Sequence, residues 1–172
     1  MKDVFEEWNV YASKRDLKTR GIKLTNIIKD SKLKIVPITG IRRSGKSSVL
    51  MLLLQHLKKK GYNAAYIYLE DSRIKDEKEV LDNILKWFGD SGFLLLDEIT
   101  SVHDWEGWLS RNHEMLKGKL NLIASSSRKN IATPKKSLRG RMLVYELYPL
   151  SFKEFLLFKD IKLEKTTVGI GR

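Results

Sequence analysis

An α/β domain, a mainly parallel five-stranded sheet with helices on both faces, is the fold that this sequence predicts. Short runs rich in apolar and β-branched residues alternate along the chain with longer segments whose apolar residues recur every three or four positions. Gly and Pro fall between these segments as punctuation, and no repeat or low-complexity tract interrupts them. A length of 172 residues suits one such domain with short appendages.

The elements follow in order. Residues 1–31 read as a helical N-terminal extension ahead of a core spanning 32–158. The first strand, 34–39, contains Pro37, which donates no ladder hydrogen bond, so a local bulge or one missing bond is expected there. Val49, Leu50, Leu53, Leu54 and Leu57 form the apolar stripe of the helix behind it. A second strand at 64–69 precedes a helix carrying Val80, Leu81, Ile84, Leu85 and Phe88. The third strand, 93–97, is the least alternating and reads as covered on both faces. Trp105, Trp108, Leu109 and Leu116 mark a helix that Asp104 is placed to cap, with both tryptophans read as packing residues. Strands at 120–125 and 143–147 follow. A last helix bears Phe152, Phe155, Leu156 and Phe158 behind a Ser151 and Glu154 capping box.

Composition excludes several classes. Without cysteine there are no disulfides, thiolate zinc sites or cysteine nucleophiles, which fits a cytoplasmic protein. The longest apolar run, 49–54, is too short to cross a bilayer, and the start lacks the apolar stretch of a signal peptide, so no membrane role is expected. His56, His103 and His113 show no metal-ligand spacing. The formal charge of +12 admits two readings. One is a nucleic-acid partner held by basic groups at 14–20, 58–60, 128–136 and 139–141. The other is a solvated lysine-rich surface.

Two motifs carry the chemistry. Gly40, Ile41, Arg42, Arg43, Ser44, Gly45, Lys46 and Ser47 match the pattern of Gly, four residues, Gly, Lys and then Ser or Thr, between a strand and a helix. Glycines there let main-chain amides curl around phosphate oxygens, with the amino end of the next helix behind them. Lys46 is expected to reach the β- and γ-phosphates of ATP and the Ser47 hydroxyl to ligate Mg²⁺, with Ser48 completing the segment. The second motif is the apolar run from Phe93 to Leu96, which delivers Asp97 and Glu98 at the ligand-binding edge of the sheet. Asp97 is expected to hold Mg²⁺ and Glu98 to polarise an attacking water. An acid of that kind favours hydrolysis over phosphate transfer to a small molecule. The complete strand and helix over 64–88, inserted before the acidic strand, agrees with the additional-strand class of P-loop domains.

On these residues the chain resembles the archaeal and bacterial AAA-type ATPases of the additional-strand class. The resemblance rests on Gly40 to Ser47, on Leu96 to Ile99 with Trp105, on Leu138 to Arg141, and on Pro149 to Phe155. It implies the strand order 5-1-4-3-2. It also implies a γ-phosphate-sensing group best matched by Ser126, and an arginine pair, Arg139 and Arg141, acting on the γ-phosphate from this subunit or from a neighbour in a homo-oligomer. Family members continue into a lid and often a further domain. Here residues 159–172 read as a polar tail with lid and C-terminal domain absent, so a fragment, a truncated product and a degenerate member all stay open. Two functions are consistent with these residues: Mg-dependent ATP hydrolysis, and a nucleotide-gated module that binds nucleic acid or protein with little turnover.

Overall fold

The computed structural model describes residues 1–128, 131 and 138–161. Most of the basic group at 128–136 and most of the tail therefore lie outside the described residues. Five strands, β1 (Val36–Thr39), β2 (Ala64–Tyr68), β3 (Gly92–Asp97), β4 (Leu120–Ser126) and β5 (Tyr145–Glu146), form one sheet in the order β2-β3-β4-β1-β5. Every pairing is parallel. This is the expected order read from the other edge.

The helices are α1 (Lys2–Lys14), α2 (Leu24–Ser31), α3 (Lys46–Lys59), α4 (Val80–Phe88), α5 (Trp105–Met115) and α6 (Phe152–Phe158). Successive strand residues point to opposite faces, and two apolar clusters result. Val36, Ile38, Tyr66, Leu95 and Ile123 pack with Leu50, Leu53, Leu54 and Leu57 of α3. Leu94, Leu96, Leu122 and Ala124 pack on the other face with Ile84 of α4 and with Trp105, Trp108 and Leu109 of α5. Helix α1 lies against edge strand β2: Phe5 and Ala12 are buried, and Asn9 Oδ1 accepts the outward Tyr66 N–H at 3.4 Å. A sheet edge covered in this way is closed to pairing with other chains.

Pro37 is accommodated by a missing bond and not by a bulge. The register against β4 runs unbroken from Val36 to Thr39. Ile35 bonds the Arg141 carbonyl and the Leu143 N–H, each at 2.9 Å, and the Thr39 carbonyl accepts from Leu147 N–H at 2.7 Å. The two-residue period turns the Pro37 nitrogen to the same side, so the gap faces short edge strand β5, where pairing is already interrupted. Two further expectations divide. Ser151 and Glu154 form the expected capping box. Asp104 occupies the N-cap position of α5, but its left-handed backbone, φ 53°, makes no side-chain cap bond.

Candidate functional site

The loop between β1 and α3 owes its path to two glycines. Gly40 has φ 149°, and a Cβ there would collide with the Leu147 carbonyl oxygen and the Ser44 hydroxyl. Gly45, φ 94°, is the N-cap of α3 and sets the positive end of that helix against the cleft. Arg43 is also left-handed, φ 64°, and exposed, as are Ile41 and Arg42. The Arg42 guanidinium lies 3.8 Å from Glu70, but the side chain is 80% exposed, so this pair contributes little. Lys46 is buried. Its ammonium donates to the carbonyls of Gly40 and Ile41 at 3.0 and 3.1 Å and stands 3.7 Å from Glu98 Oε1.

Strand β3 brings both acids to the head of α3, Glu98 to Lys46 and Asp97 to Ser47. Asp97 is fully buried. It accepts hydrogen bonds from the Ser125 hydroxyl, from the Tyr66 hydroxyl at 2.6 Å, and from the Ser47 side chain. Burial pushes its carboxyl pKa up, and the three hydroxyls pull against that shift. Glu98 leaves the strand with φ 56° and donates its N–H to Ser125 Oγ at 3.0 Å. Its carboxylate accepts from the N–H and the hydroxyl of Ser127 at 2.8 and 3.0 Å. Arg42, Arg43, Lys46, Ser47, Ser48, Tyr68, Glu70 and Glu98 line a cleft of about 680 Å³.

The remaining expected residues do not join this cleft. Ser126 lies one residue out of phase, so its hydroxyl bonds Thr100 Oγ1 at 2.6 Å and the Arg128 N–H at 2.9 Å on the opposite face. The strand period hands the two acids to Ser125 and Ser127 instead. Arg139 and Arg141 sit in the turn before β5, beside the start of β1, roughly 13 Å of strand from the loop. Arg141 bonds Ser110 at 3.1 Å and pairs with Glu114 of α5 at 3.3 Å. The pair therefore does not reach the cleft of its own chain.

Sequence reasoning also missed Tyr66, Tyr68 and Arg20. Two tyrosines spaced by two in an otherwise apolar strand were the available signal for the first pair. The Tyr68 hydroxyl bonds Glu70 at 3.1 Å, and burial followed by that bond pushes its pKa up to about 12. Arg20, between α1 and α2, donates to the Ser44 carbonyl of the loop at 2.7 Å and grips both Glu154 oxygens at 3.1 Å. It ties the loop to α6. The Arg20 hydrogen bond, then the Ser151 N–H, hold the Glu154 carboxyl down at about 2 against a usual 4.5. A depressed acid stabilises the fold above its unfolded value and loses that contribution as pH falls through 4.5 toward 2. Thermal unfolding followed across that window is expected to fall less steeply for Glu154→Gln than for the unaltered chain, with a lower midpoint for the variant near neutrality.

The residues fit an oligophosphate with Mg²⁺. Ser44 Oγ is buried without a hydrogen-bond partner among the described residues, beside the loop amides. A serine hydroxyl and a carboxylate are the hard oxygen donors that Mg²⁺ prefers.

A profile of the AAA domain family matches residues 32–156. This chain belongs to that family. AAA domains are nucleotide-binding P-loop domains, so membership supports nucleotide binding by this chain. An uncharacterized protein of Methanocaldococcus jannaschii, MJ1544, is 35% identical over 151 residues, covering 81% of this chain and 33% of that protein. An uncharacterized protein of Haemophilus influenzae is 30% identical over 142 residues, covering 76% and 35%. The chain thus spans about a third of the length of these curated relatives. AMPPCP-bound DnaA from Aquifex aeolicus superposes with a TM-score of 0.56 at 19% identity, over 83% of this chain and 51% of that one. A DNA replication initiation factor does so with 0.53 at 18%, over 83% and 51%. Both likenesses establish the fold. Among the described residues no helix is long and apolar enough to cross a membrane.

Proposed function

We propose that this domain binds ATP with Mg²⁺ and hydrolyses it. The observation that carries the reading is the meeting of two elements distant in sequence: Lys46 and Ser47 at the head of α3 face Asp97 and Glu98 at the end of β3. In this reading the loop amides and the Lys46 ammonium hold the β- and γ-phosphates, the ammonium turning to them from the Gly40 and Ile41 carbonyls. Ser47 and Asp97 hold Mg²⁺, which when bound draws negative charge from the phosphates. Glu98 takes a proton from the attacking water, positioned by its bonds to Ser127. Arg139 and Arg141 serve only from a neighbouring copy. The test is steady-state phosphate release from Mg-ATP, compared with the Glu98 and Lys46 variants discussed below.

A second reading, a module that holds nucleic acid, gains support from the far edge of the sheet. Parallel topology puts every strand start and every preceding helix end on that edge. Lys32 and Lys34 precede β1, Lys59 and Lys60 precede β2, and Lys117 and Lys119 precede β4, all exposed. The row spans roughly 14 Å from β2 to β1. Of the acids there, Glu114 is engaged by Arg141 and Asp30 by Tyr145, while Asp90 is exposed. Lysines at helix ends answer the helix dipole, as Lys59 does in the last turn of α3, but the other five lie past the last turns. Reversing Lys59, Lys60, Lys117 and Lys119 to glutamate is expected to lower the salt-dependence slope of duplex DNA binding by about two to four, at up to roughly 0.9 per phosphate contact. A slope left unchanged, in titrations at several salt concentrations, removes this edge as the surface.

A further inference from the structure

We propose that Tyr66 is a positioning residue for the metal-holding carboxylate, fixing the plane in which Asp97 meets Mg²⁺. The inference rests on the reading of Asp97 as a metal-holding acid. Tyr66 pairs in register with Leu95, two residues before Asp97 on the same face of the sheet. A phenol reaches about as far as two strand residues rise, roughly 6.6 Å, so its hydroxyl arrives at Asp97 Oδ2, 2.6 Å away. Ser125 takes Oδ1. Both oxygens are thus pinned by donors from the two flanking strands, and only the remaining lone pairs stay open toward Ser47 and the cleft.

A buried tyrosine hydroxyl finds an acceptor in most folds, so the contact alone decides nothing. Three features go further. The acceptor is the one fully buried carboxylate of the described residues, and a buried charge needs several donors to persist. Rotation of Asp97 would break both bonds together, so the two donors act as a brace. Tyr66 is itself braced by α1: the Trp8 ring stands 6.5 Å from it edge-on, and Asn9 accepts its N–H. The N-terminal helix thereby supports the metal side of the cleft without touching it.

The experiment titrates a fluorescent ATP analogue against the full chain over a series of Mg²⁺ concentrations and in EDTA, with thermal unfolding in parallel. Tyr66→Phe is expected to raise the Mg²⁺ concentration for half-maximal binding about tenfold or more, with affinity in EDTA unchanged. Substitution of Tyr66 by p-aminophenylalanine, which fills the same space and returns a donor, restores the original midpoint. That variant also serves where Tyr66→Phe does not fold, because a midpoint moved despite the restored donor overturns the proposal. Asp97→Asn separates the two claims. If it shifts the Mg²⁺ midpoint and Tyr66→Phe does not, Tyr66 is a packing residue. If neither shifts it, the metal reading of Asp97 falls and takes this one with it.

Discussion

Glu98→Gln is expected to lower steady-state phosphate release by about a hundredfold to ten-thousandfold, the usual worth of a positioned general base, while Mg-ATP still binds. Glutamine keeps the volume, and its carbonyl oxygen still accepts from the Ser127 N–H and hydroxyl. What it loses is the capacity to take a proton from water. The left-handed backbone at Glu98 makes the placement specific, since φ 56° turns the side chain out of the strand and toward Lys46. Phosphate release and nucleotide affinity measured on the same preparation separate the two effects. An unchanged rate would move the base elsewhere, and an equal loss of affinity would show that Glu98 serves binding.

Lys46→Ala is expected to weaken ATP binding about 10- to 150-fold, the range for removing a charged hydrogen-bond donor worth roughly 1.5 to 3 kcal/mol. Its side chain is 4% exposed, so the phosphate it is proposed to meet would meet it with little screening. The same substitution takes the ammonium from the Gly40 and Ile41 carbonyls and leaves Glu98 with only its Ser127 bonds. Unfolding of the variant must therefore be followed beside its affinity, and a folded chain with full affinity would refute the assigned role.

The sequence carried the sheet and the loop because both depend on local signals. Apolar runs mark the strands, and the Gly40 to Ser47 pattern has a backbone reason at each glycine. Asp97 and Glu98 were legible for the same reason, as acids ending an apolar strand. Residues whose role depends on which face of a strand they take were not. Leu122, Ala124 and Ser126 share one face of β4, while Ile123 and Ser125 share the other. With apolar residues on both faces the alternation is silent, so motif matching put the phosphate sensor at Ser126, one residue away from the serines that hold the acids. Arg139 and Arg141 were matched by spacing along the chain, which says nothing about which end of β1 their turn adjoins. Arg20 gave no sequence signal, since its partners lie 24 and 134 residues away.

Calorimetric titration of Mg-ATP into the folded chain tests most directly the claim that the α3 lysine and the β3 acids form one triphosphate site. Saturable uptake of one nucleotide per chain, weakened by Lys46→Ala, is the predicted result. Absence of heat and of any shift in unfolding temperature at millimolar Mg-ATP, with the protein shown to be folded, would contradict it.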